Sequence, residues 1–334
     1  MIRFLATLLV VIFCGQVFAE DCVFAEHDLS ALPKIGGNAV EVEIHLYMND
    51  LVDIHDSQQS FESDVFVRAE WMDPRLAHGG LTACIAAPNQ IWKPELRLLN
   101  RRHIDRDEPP VLSVAPDGRV TKAVRAFGEF TFREDLSDFP FDHQELYYTL
   151  VSRYKVEDVR ISARPEHLGS AEYFSVSNWD VQLDGARSGE YYVAPLDRSL
   201  SRLDIVFQAQ RLTGFYTWQL LLPLFLVVMM TWTVFWIPRE FVPPRVGLVA
   251  TSMLTLIAYR FAMASILPPI AYLTRLDKFM VASSVLVFGA LAATVAVTYL
   301  DGHGQTVHAT RLNRASRWLA PLLFMLVSAK VFLL

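Results

Sequence analysis

Cysteine is scarce here: the 334 residues hold three, at positions 14, 22 and 84. So few thiols make no disulfide framework, and no CxxC pair is present to carry redox or zinc chemistry. Cys22 and Cys84 stay open to pairing in an oxidising compartment. There is no HExxH helix and no glycine-rich phosphate loop. No Ser/His/Asp set and no metal-ligand set clusters along the chain. These absences remove metal-assisted hydrolysis, nucleotide chemistry and nucleophilic catalysis as readings; no catalytic residue, no metal and no cofactor is expected. An excess of positive charge is missing too. Glu20 to Phe215 carries 33 acidic and 20 basic residues, a net of −13. That balance repels nucleic acid and concentrates cations nearby. Beyond Tyr216 it is acid that is rare, with 3 acidic and 9 basic residues, a net of +6.

What is present divides in two. Residues 1–19, MIRFLATLLVVIFCGQVFA, combine Arg3, an apolar run and a small-residue cleavage site, the pattern of a secretory signal; a first transmembrane helix is the alternative. Residues 20–212 alternate apolar and polar side chains in short runs at 40–51, 63–73, 119–132 and 202–211, separated by Pro, Gly, Asn and Asp. This predicts an extracytoplasmic antiparallel β-sandwich of immunoglobulin-like type. Residues 213–334 carry four membrane-length apolar runs, at about 214–237, 243–266, 276–300 and 314–334. Pro223 is expected to kink the first helix. The short loops holding Arg239, Arg245, Arg311, Arg314 and Arg317 fall on the inner side if the β domain is exported, as the positive-inside tendency requires.

The second run has its own pattern. Gly247, Thr251, Leu254, Ala258, Phe261 and Ser265 follow at steps of four and three, which puts them on one helix stripe. The stripe is small or hydroxylated at one end and apolar further along. Alone, it reads more readily as a seven-residue packing seam in a helical bundle.

Four motifs add a resemblance. The segment FREDLSDFPFDHQEL (132–146), with Phe139, Pro140, Phe141 and Asp142 at its centre, resembles the signature loop of the pentameric ligand-gated ion channels, the Cys-loop receptors. WMDPRL (71–76), IWKPEL (91–96) and PPRVGLVATSMLTL with ILPPIAYLT resemble further motifs of that family, in the same order. Phe132 and Leu146 stand where animal receptors carry the loop cysteines, a departure shared by bacterial members.

The resemblance implies a homopentamer of five identical subunits in a bacterial inner membrane, the β domain periplasmic, passing ions without covalent chemistry. It implies that the stripe lines the pore, with Leu254, Ala258 and Phe261 forming apolar rings able to gate by dewetting. It implies that Asp56, Asp142 and Arg211, together with Pro140 and Pro268, couple the two halves. At the inner mouth, PPRVG with Arg245 is similar to anion-selective receptors, while Glu240 and the acidic outer domain favour cations; the reading adopted is a cation channel. Phe66, Arg153, Tyr191 and Tyr192 fall at the family's agonist-box positions, which makes the box incomplete and places a cation in it. A small-molecule agonist or protons remain as triggers, and His55 and His143, each beside an aspartate, are the candidate pH sensors. Two readings from other classes stand beside this one: a membrane-anchored binding module, disfavoured by four spans where one would serve, and a membrane-bound hydrolase, for which no catalytic set exists.

Overall fold

The computed structural model describes residues 22, 24, 29–33, 36–107, 110–264 and 269–332. The leader (1–19), Ser265 and Pro268 lie outside the described residues.

Among the described residues, alternation of apolar and polar side chains builds twelve strands: β1 (Val40–His55), β2 (Ser60–Met72), β3 (Cys84–Ile85), β4 (Arg97–Leu98), β5 (Arg101–Asp107), β6 (Val111–Val114), β7 (Arg119–Thr131), β8 (His143–Lys155), β9 (Val159–Ser162), β10 (Leu168–Ser170), β11 (Trp179–Val193) and β12 (Arg198–Arg211). Eight form one sheet in the order β10-β1-β2-β7-β6-β3, with β5 on β7 and β9 on β1. Four form the other, β11-β12-β8-β4. The inward positions of β1 (Val42, Ile44, Leu46, Met48) meet those of β12 (Leu203, Ile205, Phe207, Ala209) in one buried core. A sandwich of two largely antiparallel sheets follows, because each strand has one apolar face to hide. Tyr148, fully buried there, has its hydroxyl 2.8 Å from Ser63 Oγ, so the core's polar atom is satisfied. Cys22 and Cys84 form a disulfide that ties the N-terminal segment to the edge strand β3.

Two residues separate β12 from the first span, Gly214–Trp236. That span is α1 (Gly214–Tyr216), a π-helical turn (Thr217–Leu221), α2 (Leu222–Trp232) and a final 3-10 turn (Thr233–Trp236). The expected disturbance at Pro223 therefore takes the form of a π-bulge just before it. Three further helices follow: α3 (Val242–Ala264), α4 (Arg275–Gly302) and α5 (Thr306–Phe332). The last begins eight residues before the apolar run at 314. Apolarity marks where the lipid starts, whereas the helix continues into its polar inner end, leaving only residues 303–305 as a turn.

Both helix-interior prolines release a carbonyl four residues back, and in lipid no water can take it. Tyr259 of α3 donates its hydroxyl to Gln219 O and Leu220 O, at 3.3 and 2.6 Å, beneath Pro223. Trp232 Nε1 donates to Arg317 O at 2.8 Å, beneath Pro321 of α5. Two side chains thus repair the backbone defects and lock neighbouring helices together.

Candidate functional site

The signature loop sits where the β-sandwich meets the helices, and Arg211 is its centre. β12 ends on Arg211 and the first span starts three residues later, so this side chain is fixed from both sides. Its side chain is 1% exposed. Nε and Nη2 donate to the two carboxylate oxygens of Asp142 at 2.8 and 3.0 Å, and Nη1 and Nη2 donate to Asp56 at 2.8 and 3.0 Å. Nη1 also reaches Tyr216 Oη at 3.1 Å. The guanidinium plane lies 4.1 Å from the Trp179 ring centroid and 5.0 Å from that of Phe139. Every donor of the fork is used, and the charge is doubly matched by carboxylates and shielded by aromatic faces. Asp142 is held in turn by Gln144 Nε2 at 2.7 Å. Pro140 is buried beside it after a cis peptide bond from Phe139.

The same loop grips the helices directly. Ser137 O and Phe139 O accept from the backbone N–H groups of Arg275 and Leu276, the first residues of α4. Asp138 Oδ1 accepts from Arg275 Nε at 2.7 Å, and Leu136 N donates to Tyr272 Oη at 2.9 Å. Thr274 and Asp277 complete a capping box at that helix start. A displacement of the loop therefore carries the N-terminus of α4 and the 269–274 segment with it.

One residue of this cluster has no counterpart among the expected ones. Glu134 has a side chain with 0% exposure, 3.8 Å from Arg211 Nη2. Neither of its carboxyl oxygens accepts a hydrogen bond among the described residues. Burial first, then a side-chain hydrogen bond to Asp56 and the charge of that carboxylate, push it up to about 9, against the attraction of Arg211. Glu134 thus holds its proton at neutral pH. A signal for it exists in the sequence. Phe132, Glu134 and Leu136 alternate with the exposed Arg133 and Asp135, so an inward strand-like face includes an acid.

The other expected residues fall as follows. His55 contacts Asp53 at 3.3 Å, not Asp56, and His143 is exposed. Neither joins the Arg211 cluster. His143 follows the inward Asp142 at the start of β8, where successive side chains point to opposite faces, so it faces outward; His55 ends β1, and Asp56 after it opens a 3-10 turn that leads its side chain elsewhere. Arg245 is a correction as well: it is fully buried and donates to Asn313 Oδ1 of α5 at 2.7 Å, so its charge lies between helices and not at an inner mouth. Glu240 is exposed. Gly247, Thr251, Leu254, Ala258 and Phe261 all lie on the exposed side of α3, with Leu254 at 66% and Phe261 at 75%, while Val249, Ser252, Leu256 and Met263 pack inward. The Thr251 hydroxyl donates to Gly247 O and leaves its oxygen lone pairs facing outward. Arg153 is not a free cation; it donates to Glu95 Oε2 at 2.9 Å. Tyr192 donates its hydroxyl to Asp197 at 2.8 Å, and Tyr191 is exposed beside it on β11. Phe66 stands on β2 in the opposite sheet, so one subunit does not bring it to Arg153 or the tyrosines.

Comparison with known proteins agrees with this geometry. The profile of the neurotransmitter-gated ion-channel ligand binding domain matches residues 20–213, and that of the neurotransmitter-gated ion-channel transmembrane region matches residues 220–332. The chain belongs to the neurotransmitter-gated ion-channel family. A proton-gated ion channel of Gloeobacter violaceus is 25% identical over 319 residues, 94% of this channel and 88% of the relative. Gamma-aminobutyric acid receptor subunit rho-3 of Homo sapiens is 29% identical over 287 residues, 82% of this channel and 61% of that subunit. A gamma-aminobutyric acid receptor subunit beta of Lymnaea stagnalis is 26% identical over 307 residues, 84% of this channel and 60% of the relative. This channel thus spans about three fifths of those receptor subunits' length. It is a membrane-embedded, pentameric-family ligand-gated ion channel and not an enzyme. Its β-sandwich and four spans are the two parts that such gating connects.

Proposed function

We propose that five identical copies of this channel enclose a cation-conducting pore lined by Gly247, Thr251, Leu254, Ala258, Phe261 and Ser265, opened and closed by pH through the charge cluster at the base of the β-sandwich. The observation that carries the pH reading is Glu134, a fully buried carboxyl packed against Asp56, Asp142 and Arg211. The name of the Gloeobacter relative, a proton-gated ion channel, supports the same trigger. Asp56, Asp142, Arg211, Pro140 and Pro268 act as the coupling residues, passing a change in the cluster to α4 through the signature loop. Leu254 and Phe261 supply apolar rings that dewet when the helices close in. Phe66 of one subunit and Arg153, Tyr191 and Tyr192 of the next form the candidate agonist face, with Glu95 neutralising the cation there. The channel is placed in a bacterial inner membrane with residues 20–212 periplasmic, after removal of residues 1–19.

A second reading, an anion pore, rests on the PPRVG motif. The burial of Arg245 against Asn313 weighs against it, because that charge is withdrawn from the pore stripe. Glu240 remains as an exposed carboxylate beyond the inner end of α3 and supports cations.

The test is voltage-clamp recording while external pH is stepped both ways from neutral, followed by dilution of NaCl on one side. A reversible pH-dependent current whose reversal potential follows the cation gradient supports the proposal. A current that ignores pH, or a reversal potential that follows chloride, removes the corresponding half of it.

A further inference from the structure

Far from the membrane, the outward face of β1 carries a second cluster of titratable groups. Glu43 and His45 are two residues apart on β1 and so share a face. His167, from the 3-10 turn Pro165–His167, folds over them. One donor atom from each of the three lies within 4.8 Å of the others. The His45 and His167 rings stack, centroids 3.8 Å apart and planes 19° from parallel. Around them stand Arg68 and Glu70 on β2, and Arg164 and Glu166 at the turn. Arg68 Nη2 lies 3.0 Å from His45 Nδ1, and Glu70 is 3.7 Å from His45 Nε2. Arg164 Nη2 donates to Glu43 Oε2 at 2.6 Å, and His167 Nδ1 lies 2.6 Å from Glu43 Oε1.

We propose that Glu43, His45 and His167 form a site for a borderline divalent transition-metal ion of the class of Zn2+, Ni2+ and Cu2+. Three features carry this. First, two imidazoles and one carboxylate are the donor set such ions favour, and one that Ca2+ and Mg2+ do not. Second, the donors already converge: Glu43 and His45 share one face of β1, and the His167 ring is brought onto His45 by the turn that folds over them. Third, the donors are fixed and the cations now beside them are not. The side chains of His45, Glu43 and His167 are 13%, 24% and 26% exposed, whereas Arg68 and Arg164 are 40% and 60% exposed. The guanidiniums occupy the cation's place and can swing into solvent.

Ligation turns one ring out of the stack and draws the donors from within 4.8 Å to the spacing of about 3–3.5 Å that bonds of about 2 Å require. The ion then staples the Pro165–His167 turn to β1. Two residues along the same face, Tyr47 pairs with Phe66, and β10 runs beside Tyr47 at Gly169. The metal therefore rigidifies the strand face that carries the candidate agonist aromatic.

The test is isothermal titration of the full detergent-solubilised chain with NiCl2 and with ZnCl2, a readout independent of current. Wild type is expected to bind one ion per subunit. His45→Gln and His167→Gln, which keep size and polarity, are expected to weaken binding at least about tenfold. Arg68→Gln, which removes the resident cation, is expected to tighten it about threefold or more, by relief of the repulsion between Arg68 and the incoming dication. Gel filtration at the wild-type position shows that each variant is folded. No binding by wild type, unchanged affinity in both histidine variants, or an Arg68→Gln variant that binds no tighter would each overturn the proposal.

Discussion

Replacing Glu134 by Gln should abolish the response of the channel to pH between neutral and about pH 9. The buried carboxyl is neutral, so the amide is its near-isostere, and the substitution leaves the Arg211 cluster intact. The sign follows from proton counting. In the compact interface Glu134 gives up its proton only near pH 9; once hydrated, it does so near 4.5. Between those values the compact state holds one proton more, so it is favoured by acid and loses ground as pH rises. Each pH unit shifts the balance by about 1.4 kcal/mol, or tenfold, when hydration is complete. From pH 6 to pH 8 the ceiling is therefore about a hundredfold per subunit, and partial hydration lowers it. Ionisation within the compact state is the costly alternative: the cluster of Asp56, Asp142 and Arg211 already carries a net charge of −1, and a third carboxylate would be left without a hydrogen bond. The assay is patch-clamp recording with pH steps from 6 to 10, on wild type and Glu134→Gln at matched surface expression. A flattened curve is expected for the variant. Superimposable curves would refute the reasoning.

Arg211→Gln should cost about 3–5 kcal/mol by leaving Asp142 and Asp56 buried and unpaired, seen as loss of assembled protein on gel filtration. Asp142→Asn should be the more damaging of the two aspartate changes, because Asp142 is 1% exposed and Asp56 12%. Leu254→Ala combined with Phe261→Ala should raise the resting current, since widening the two bulkiest apolar rings lets water persist in the closed pore; an unchanged leak would exclude a dewetting gate there. Tyr259→Phe should orphan the carbonyls beneath Pro223 and cost about 1–3 kcal/mol, read as a fall in thermal midpoint in detergent.

Much of the architecture was legible because it rests on periodicity. Period-2 alternation placed β1, β2, β7 and β12, and apolar length placed four spans. Arg211, Asp56 and Asp142 came from motif resemblance alone; they are separated by up to 155 residues, and no local pattern links them. The misses have local causes. His55 and His143 are sequence neighbours of the cluster aspartates, yet a 3-10 turn starting at Asp56 parts the first pair and strand alternation parts the second. Arg245 sits at the start of a pore-type helix, but its partner Asn313 lies 68 residues on. Glu134 was hidden in an acidic stretch, EDLSD, that reads as solvated loop. Glu43, His45 and His167 converge only because a turn 121 to 124 residues further along the chain folds back on β1.

The arrangement explains why a pH trigger can act at this junction and not at any surface carboxylate. An exposed acid gains or loses its proton at almost no cost to either conformation, so it biases nothing. Arg211 already uses its donors on Asp56, Asp142 and Tyr216. It has none left for Glu134, so the fourth member is tolerated there only while neutral. The loop that encloses this acid also holds the first N–H groups of α4 and pairs Asp138 with Arg275. Hydrating Glu134 means moving that loop, and moving the loop means moving a membrane helix. Under the proposed function the proton is thus coupled to the span by contact, with a strength set by how completely the compact state excludes water from one carboxyl.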